Sequence, residues 1–320
     1  CPVTISDRPA EANRLMLLDT ASLYFRAFFG VPDTFRSPHG EPVNAVRGLL
    51  DFIARLVTDY SPTHLACCWD NDWRPQWRVD LIPTYKSHRV VSVIPGPAPD
   101  IEEVPDPLSA QIPVIVEILH ALGIAIVGAD AHEADDVIGT LATTATCPVD
   151  IVTGDRDLFQ LVDDARAVRV LYTGKGGVRE PDIGTEAMLR EKYAVAHGEG
   201  YLEMSILRGD TSDGLPGVKG IGDKTAAQLI AEFGSLAAIR AAVDNGDARL
   251  KGARRTNLEA AADYLDVAPT VVRVAPDAPL PDTDLRLPTT VADTRLLSEL
   301  ASTYGLTSPI NRLLSALGLG

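Results

Sequence analysis

Three aspartates stand at the ends of short apolar runs, and this arrangement constrains the fold more than any other feature of the chain. The runs and their acids are residues 14–18 with Asp19, residues 64–69 with Asp70, and residues 149–153 with Asp155. Between them lie amphipathic stretches such as residues 44–60, whose apolar side chains have helical spacing. This alternation predicts an α/β fold with a mainly parallel sheet covered by helices. Because parallel strands end together at the edge where ligands bind, the three carboxylates should converge there.

The remaining apolar patterns extend this outline. We expect a further strand at residues 124–127, helices at 23–29 and 134–145, and a mainly helical region from about residue 182 that includes a helix at 294–304.

Composition permits a large core but argues against nucleic acid as a partner at first sight. The chain has 320 residues, 46% of them hydrophobic, and 44 acidic against 29 basic residues give a net charge of −15. Such a charge repels phosphate on average, yet divalent ions held by carboxylates reverse the sign locally. The polar start has no signal-peptide pattern, residues 112–129 are too interrupted for a membrane span, and the four cysteines lack metal-site spacing. We therefore expect a cytoplasmic location without a membrane partner.

Further acids lie at predicted helix starts and turns. They are Glu133, Asp135 and Asp136 before a helix, Asp157 beside Asp155, and Asp210 and Asp213 in a Gly-rich turn. Each group alone has an ordinary explanation, as partners of a helix dipole, a helix cap or a solvated turn. Together they form an all-oxygen set that suits Mg²⁺ or Mn²⁺. Two such ions about 4 Å apart can promote phosphodiester hydrolysis, and they would also relieve the mutual repulsion of the carboxylates.

Residues 215–226 (LPGVKGIGDKTA) combine closely spaced glycines with lysines before an amphipathic helix. Backbone N–H groups at such a turn form a seat for phosphate, and Lys219 and Lys224 can each neutralise one phosphate. These contacts would position a duplex without reading its bases. The alternative is an ordinary corner between two helices in which glycine serves packing.

Basic and aromatic residues are interleaved between residues 69 and 89. They are Trp69, Trp73, Arg74, Trp77, Arg78, Tyr85, Lys86 and Arg89. Rings beside guanidinium groups suit stacking on unpaired bases, although each tryptophan could equally belong to the core and Lys86 could be a solvated surface lysine. The Pro-rich, acidic residues 90–107 predict a flexible excursion without a packed core.

Six short motifs follow one another along the chain and together are highly specific. They are LDTASLYFRAF at 18–28, YKSHR at 85–89, EADD at 133–136, TGDRDL at 153–158, GDTSD at 209–213 and PGVKGIG at 216–222. The set resembles the bacterial flap endonucleases and the 5′ nuclease domain of bacterial DNA polymerase I. We expect either a stand-alone protein or an excised domain. Residues 93–107 are longer and more acidic than the arch of that family.

The resemblance implies a PIN-like, mainly parallel sheet core with a helical arch, and a helical region with a helix–two-turn–helix that binds duplex DNA. We place the core in residues 1–180 with the arch at about 72–110, and the helical region in 181–320 with the helix–two-turn–helix at about 205–235. The implied activity is that of a structure-specific flap endonuclease and 5′–3′ exonuclease. It would use two or more Mg²⁺ or Mn²⁺ ions and leave a 5′-phosphate and a 3′-hydroxyl. The implied partners are DNA with 5′ flaps, nicks or 5′ ends and RNA–DNA primer junctions, bound by a monomer that removes flaps and primers in DNA replication and repair.

The resemblance also assigns roles by position in the motifs. The acids of the first metal are Asp19, Asp70, Glu133 and Asp135. Those of the second are Asp155, Asp157, Asp210 and Asp213, with Asp136 as a supporting metal acid. Lys86 and Arg89 match catalytic arch residues that steer and polarise the scissile phosphate. The residues expected to contact DNA are Arg26, Arg78, Tyr85, Lys219, Gly220, Gly222, Lys224 and Thr225. Val218 and Ile221 are the expected carbonyl ligands of a monovalent cation such as K⁺.

Two other functions compete with this interpretation. A PIN-type ribonuclease would explain the acids but gives the glycine hairpin no role. A non-catalytic junction-binding protein would keep the hairpin, yet it would not need the complete set of acids together with Lys86. A calcium-binding structural protein is disfavoured, because no loop has regularly spaced acids that end in a bidentate glutamate.

Overall fold

The computed structural model describes residues 13–94 and 99–320. The expectation of a cytoplasmic location rests partly on the polar start of the chain. This start falls almost entirely in residues 1–12, which lie outside the described residues. Residues 95–98 of the acidic, Pro-rich segment also lie outside them.

The N-terminal part of the chain forms a sheet and the helices that cover it. In chain order its elements are β1 (Leu15–Asp19), α1 (Thr20–Gly30), α2 (Asn44–Tyr60), β2 (His64–Cys68), α3 (Gln76–Leu81), β3 (Val90–Ser92), β4 (Ile101–Glu102), α4 (Asp106–Ser109), α5 (Ile112–Leu122), β5 (Ala125–Val127), α6 (Ala134–Thr144), β6 (Val149–Thr153), β7 (Val168–Tyr172) and β8 (Asp182–Gly184). The six-stranded sheet has the order β5-β2-β1-β6-β7-β8. Its strands pair in parallel except for β7 with β8. The predicted α/β fold with a mainly parallel sheet is confirmed.

The C-terminal part is helical after β8. Its elements are α7 (Glu186–Tyr193), α8 (Gly198–Arg208), α9 (Asp223–Phe233), α10 (Leu236–Asp244), α11 (Gly252–Ala260), α12 (Ala262–Val272), α13 (Thr294–Tyr304) and α14 (Thr307–Ala316). α8 packs against α9 and α12, whereas α13 and α14 pack against α5 and α2. The Leu65 N–H of β2 also donates to the Leu285 carbonyl at 2.8 Å. The end of the predicted helical region thus returns to cover the N-terminal sheet.

In the part of the chain that the structure describes, no helix by itself is long and apolar enough to cross a membrane. The pair α9 and α10, which meet at a bend of 79°, reaches that length and composition only when the two are taken together.

Apolar side chains cover both faces of the sheet, as buried parallel strands require. Along β1, Leu15 and Leu17 belong to a core shared with α6, α8, α9 and α12. Met16 and Leu18 belong to a second core, shared with α2, α5, α13 and α14. Because both faces are filled, polar side chains from β1, β2 and β6 can reach water only where the strands end. This is why the functional groups gather at the sheet edge.

The segment between β2 and α5, where the helical arch is predicted, is held to the fold at several points. Besides α3, α4 and the small β3–β4 sheet, its described part contains a 3₁₀ turn at Ser87–Arg89. Trp73 Nε1 donates to the Asp100 carbonyl at 2.7 Å, and Arg74 forms a 2.6 Å ion pair with the Asp100 carboxylate. Leu108 is fully buried. None of the described residues among 90–107 is buried, which agrees with the predicted lack of a packed core, although Asp100 ties this segment to Trp73 and Arg74.

Candidate active site

The carboxyl ends of β1, β2 and β6 open into a cavity of about 450 Å³. The predicted metal acids that line it are Asp19, Asp70, Glu133, Asp135, Asp155, Asp157 and Asp210. Lys86, Arg89 and Arg156 contribute positive charge to the same wall. The convergence of the three strand-end aspartates, predicted from the apolar runs alone, is confirmed.

Asp19 is the last residue of β1 and also the N-cap of α1. Its carboxylate accepts a 3.1 Å hydrogen bond from the Ser22 N–H and a 2.6 Å hydrogen bond from the Thr153 hydroxyl. The Thr153 hydroxyl in turn accepts from the Asp155 N–H at 2.8 Å. Burial, together with the charges of Asp70 and Asp155, raises the pKa of Asp19 to about 7 despite these hydrogen bonds. Ionised Asp19 is therefore costly to this fold unless a cation accompanies it.

Asp70 connects the end of β2 to the start of α6. Its Oδ1 accepts a 2.8 Å hydrogen bond from the N–H of Ala134, the first residue of α6. Burial raises the pKa of Asp70, while this hydrogen bond and the charge of Lys86 oppose the rise. A helix N-terminus favours an anion at this position, so α6 helps to fix the Asp70 carboxylate at the cavity edge.

Glu133 is the N-cap of α6, and donors surround its carboxylate. Tyr85 donates to Oε1 at 2.7 Å, Arg78 Nη1 contacts the same oxygen at 3.2 Å, and the Lys86 ammonium contacts Oε2. Burial alone would lower the pKa of Lys86, but the charges of Glu133, Tyr85, Asp213 and Asp135 together outweigh it and raise that pKa well above its usual value. Lys86, 9% exposed, is thus a fixed positive charge in the cavity wall. It is therefore not a solvated surface lysine.

The ionised forms of Asp135 and Asp157 are destabilised by burial and by the charges of neighbouring aspartates. Burial, followed by the charges of Asp19 and Asp155, raises the pKa of Asp135 well above its usual value. Burial and the charges of Asp155 and Asp213 do the same for Asp157. Like charges so close together cannot all ionise without compensation, which makes this part of the cavity receptive to cations.

Asp210 and Asp213 approach from the loop after α8. The Ser212 N–H and hydroxyl both donate to Asp210 Oδ1, at 2.7 and 2.5 Å. Burial would raise the pKa of Asp210, but these bonds and the charge of Arg208 lower it. Asp213 pairs with Arg89 at 2.9 Å. It lies in a neighbouring cavity of about 20 Å³, whose acids are Glu133, Asp135, Asp157 and Asp213.

Asp136, expected as a supporting metal acid, lies on the far side of the α6 start from the main cavity. It is fully buried, and both carboxylate oxygens are bound by Arg78 at 2.7 Å. Burial would raise its pKa, but the hydrogen bonds and charge of Arg78 lower it. Asp136 and Glu133 also form a reciprocal capping box at the helix start. A metal ion would have to displace Arg78 to reach Asp136, so the structure does not support this residue as a ligand.

The glycine hairpin joins α8 to α9, as the predicted helix–two-turn–helix requires. Gly217 has φ of +61°, and a Cβ there would lie 2.4 Å from the Arg208 carbonyl oxygen, so only glycine fits. Gly220 has φ of +76°, and a Cβ there would lie 3.5 Å from Asn257 Nδ2. Lys219, Gly220, Gly222 and Lys224 are exposed and Thr225 is half-buried. The Val218 and Ile221 side chains are buried, and the Val218 carbonyl accepts from the Ile221 N–H at 3.0 Å.

Two of the residues expected to contact DNA are not at the surface. Arg78 is 3% exposed and Tyr85 5% exposed, and both side chains bind Glu133. Because their polar atoms already have buried partners, the expectation of DNA contact is not met for these two residues. Arg26 is half-buried and donates to the Gly174 carbonyl at 2.6 Å.

Sequence similarity to known proteins extends along most of the chain. Residues 14–194 match the family described as 5′-3′ exonuclease, N-terminal resolvase-like domain, and residues 196–294 match the one described as 5′-3′ exonuclease, C-terminal SAM fold. A 5′-3′ exonuclease of Streptomyces coelicolor is 62% identical over 302 residues, which cover 94% of this chain and 99% of that protein. The chain belongs to the 5′-3′ exonuclease family. It is a nuclease, and so a hydrolase.

Other relatives of this exonuclease-family protein agree with the assignment. A 5′-3′ exonuclease of Mycobacterium tuberculosis is 51% identical over 311 residues, covering 95% of this chain and 97% of the relative. DNA polymerase I of Mycobacterium bovis is 41% identical over 295 residues, which cover 89% of this chain but 30% of the polymerase. The predicted resemblance to both the stand-alone exonucleases and the polymerase domain is confirmed.

Solved structures show that the fold is that of the flap nucleases. The T5 D15 protein co-crystallised with metal ions has a TM-score of 0.61 at 17% identity, covering 95% of this chain and 98% of its own. Human GEN1 in complex with Holliday junction DNA has a TM-score of 0.62 at 15% identity, covering 96% of this chain and 72% of its own. At such low identity these likenesses concern the fold alone.

The sequence did not reveal several residues that shape the site of this exonuclease-family protein. Thr153 bridges Asp19 and Asp155, and Ser22 donates its N–H to Asp19 and its hydroxyl accepts from Gly154. Glu102, from β4, also lines the cavity. The role of Thr153 could have been predicted, since a threonine hydroxyl can accept a hydrogen bond from the backbone N–H two residues later. The position of Glu102 at the cavity could not have been predicted, because it depends on the path of residues 90–107.

Proposed function

We propose that this chain hydrolyses DNA phosphodiester bonds at 5′ flaps, nicks and 5′ ends, leaving a 5′-phosphate and a 3′-hydroxyl. The observation that carries the proposal is the carboxylate-lined cavity at the carboxyl edge of the sheet, with the fixed charge of Lys86 in its wall. The relatives named 5′-3′ exonuclease support the same chemistry.

The donor set fits hard divalent cations such as Mg²⁺ or Mn²⁺, because all its ligating atoms are carboxylate oxygens. The residues that would hold one ion are Asp19, Asp70, Glu133 and Asp135, and those that would hold a second are Asp155, Asp157, Asp210 and Asp213. Such ions, when bound, supply an activated water and stabilise the leaving oxygen. Within residues 13–94 and 99–320, no three acidic, histidine or cysteine side chains already stand at the spacing of metal ligands.

Lys86 and Arg89 are suited to hold the scissile phosphate against the carboxylates. Both side chains line the cavity, and each is tethered by an acid, Lys86 by Glu133 and Arg89 by Asp213. Charged donors fixed in this way stabilise negative charge that grows in the transition state. These ion pairs also orient the Lys86 and Arg89 side chains without using all of their N–H donors, because an ammonium has three N–H groups and a guanidinium five.

The glycine hairpin supplies a separate duplex contact. Lys219 and Lys224 project from exposed positions on either side of Gly220 and Gly222, where backbone N–H groups and ammonium groups can bind phosphates. A monovalent cation such as K⁺, bound by the Val218 and Ile221 carbonyls, would bring a phosphate to the same turn. Contacts of this kind hold the duplex while the cavity acts on its 5′ strand.

The biological role follows from this chemistry. An enzyme that binds duplex at the hairpin and cuts the 5′ strand in the cavity would remove 5′ flaps and RNA primers during DNA replication and repair. The likeness to DNA polymerase I supports this role. The structures of a T5 D155K variant and of human GEN1 with DNA support a DNA substrate.

The test is cleavage of a 5′-labelled flap DNA, compared with single-stranded RNA and blunt duplex, in Mg²⁺, Mn²⁺ or EDTA. We expect metal-dependent flap cleavage with a 5′-phosphate on the nicked duplex. The exposed Asp282→Asn should cut normally and controls for handling of the variants. Preference for the RNA would favour a ribonuclease, and flap binding without cleavage would favour a non-catalytic junction protein.

A further inference from the structure

Arg78, on α3, is a buried guanidinium outside the main cavity, and its donors meet two other parts of the chain. Its Nη1 and Nη2 bind the two oxygens of Asp136 at 2.7 Å each. Nε donates to the Val271 carbonyl at 2.9 Å, near the end of α12, and Nη1 also reaches Glu133 at 3.2 Å. The guanidinium lies over the Trp77 ring at 4.3 Å. α3, the start of α6 and the end of α12 are therefore joined at one side chain.

Asp136 completes this junction from the other side. Besides both Arg78 bonds it accepts the N–H of Glu133 at 3.1 Å and the N–H of Ala275 at 2.8 Å. Every bond to Asp136 is thus either to Arg78 or to backbone that the Arg78–Asp136 pair holds in place. A bidentate pair of this kind fixes direction as well as distance.

The helix turn held by the pair carries three groups of the main cavity. Glu133 and Asp135 flank Ala134, whose N–H binds Asp70. Because Asp135 stands between the two residues of the capping box, its direction into the cavity is set by the same turn. A small rotation of this turn would move all three carboxylates at once.

We propose that Arg78 is a positioning residue: through Asp136 it fixes the first turn of α6 and thereby the arrangement of Asp70, Glu133 and Asp135 that receives a divalent cation. The proposal rests on the proposed metal-dependent function, but Arg78 itself touches neither substrate nor metal. Lysine in its place would keep the charge and lose the fork that spans Asp136, Glu133 and α12. Loss of partners that orient metal ligands typically weakens metal binding by ~10–100-fold.

The experiment measures Mn²⁺ binding to the full chain by calorimetry, with flap affinity in Ca²⁺ and cleavage as further readouts. Arg78→Lys should raise the Mn²⁺ dissociation constant at least ~10-fold and lower the turnover rate, with little change in flap affinity. The matched control is Arg169→Lys, because Arg169 also forks onto a buried aspartate, Asp150, at 2.6 and 3.4 Å. Arg169 does not line the cavity, so its variant should lose stability and keep Mn²⁺ binding.

Asp136→Asn provides a second variant that removes the charge and keeps the size of the partner. It should weaken Mn²⁺ binding as Arg78→Lys does. Wild-type Mn²⁺ affinity in a folded Arg78→Lys protein, or equal losses in Arg78→Lys and Arg169→Lys, would overturn the proposal. Loss of the fold in both Arg78→Lys and Asp136→Asn would also overturn it, since the pair would then be a stability element. Failure of the wild type to bind Mn²⁺ or cut flap DNA would instead count against the proposed function.

Discussion

Replacement of Asp19 by asparagine should stabilise the metal-free protein while removing a group needed for metal. Asp19 is 6% exposed, and its pKa rises from 3.8 to about 7, first through burial and then through Asp70 and Asp155. A raised acid pKa means that the folded state binds the proton more tightly than the unfolded state does. Its contribution therefore destabilises the fold increasingly as the pH rises from about 4 to about 7.

The magnitude follows from the size of the shift. At 1.36 kcal/mol per pKa unit, ionised Asp19 costs about 4 kcal/mol at pH 8 and between about 1 and 2 kcal/mol at pH 5. An asparagine whose NH₂ group faces the Thr153 hydroxyl cannot accept the hydrogen bond that the Asp19 carboxylate accepts. The loss of this hydrogen bond costs about 1 kcal/mol. The variant should thus gain about 3 kcal/mol at pH 8 and less than about 1 kcal/mol at pH 5.

Urea unfolding in EDTA at the two pH values measures this difference. Asp150→Asn is the matched control, because Asp150 is fully buried between Arg14 and Arg169 and its loss should destabilise the fold at both pH values. Added Mg²⁺ should stabilise the wild type more than Asp19→Asn. An Asp19→Asn gain that is the same at pH 5 and pH 8, or a loss at pH 8, would refute the electrostatic reasoning.

Three further variants separate chemistry from binding. Asp155→Asn should abolish metal-dependent flap cleavage while duplex affinity persists or improves, since a repulsive charge is removed; near-normal cutting in Mg²⁺ would remove Asp155 from the site. Lys219→Ala with Lys224→Ala should weaken binding to all duplexes alike and lower the salt slope by about 2, and an unchanged slope would make the hairpin purely structural. Lys86→Ala should slow single-turnover cleavage by ~10²–10³ with a much smaller change in flap affinity measured in Ca²⁺, and a rate within twofold of wild type would contradict its role at the phosphate.

Local patterns predicted the elements that carry the site. The helix at residues 44–60 and the strand at 149–153 have the observed bounds, because their apolar spacing is not interrupted by competing turn residues. The three strand-end aspartates could be placed together because parallel strands end at a common edge. β7 and β8 were not predicted, and β8 interrupts the region expected to be helical after residue 182.

What the sequence could not predict depends on contacts between distant segments. Arg78 and Asp136 are 58 positions apart, and neither residue type signals that the two will meet in the core. The burial of Lys86 against Glu133 likewise depends on how residues 72–94 pack over the start of α6. The sequence also provided no sign that Asp135 and Asp136 differ in role. Asp135 faces the cavity, whereas Asp136, one residue later on the helix, faces Arg78.

The central claim is that divalent ions bind at the carboxyl edge of the sheet, and anomalous diffraction from crystals grown with Mn²⁺ tests it most directly. We predict strong anomalous peaks inside the cavity, within ligand distance of carboxylates from both proposed groups, such as Asp135 and Asp157. The peaks should disappear on exchange into EDTA. Peaks confined to other surfaces, or a cavity that stays free of Mn²⁺ at millimolar concentration, would contradict the account.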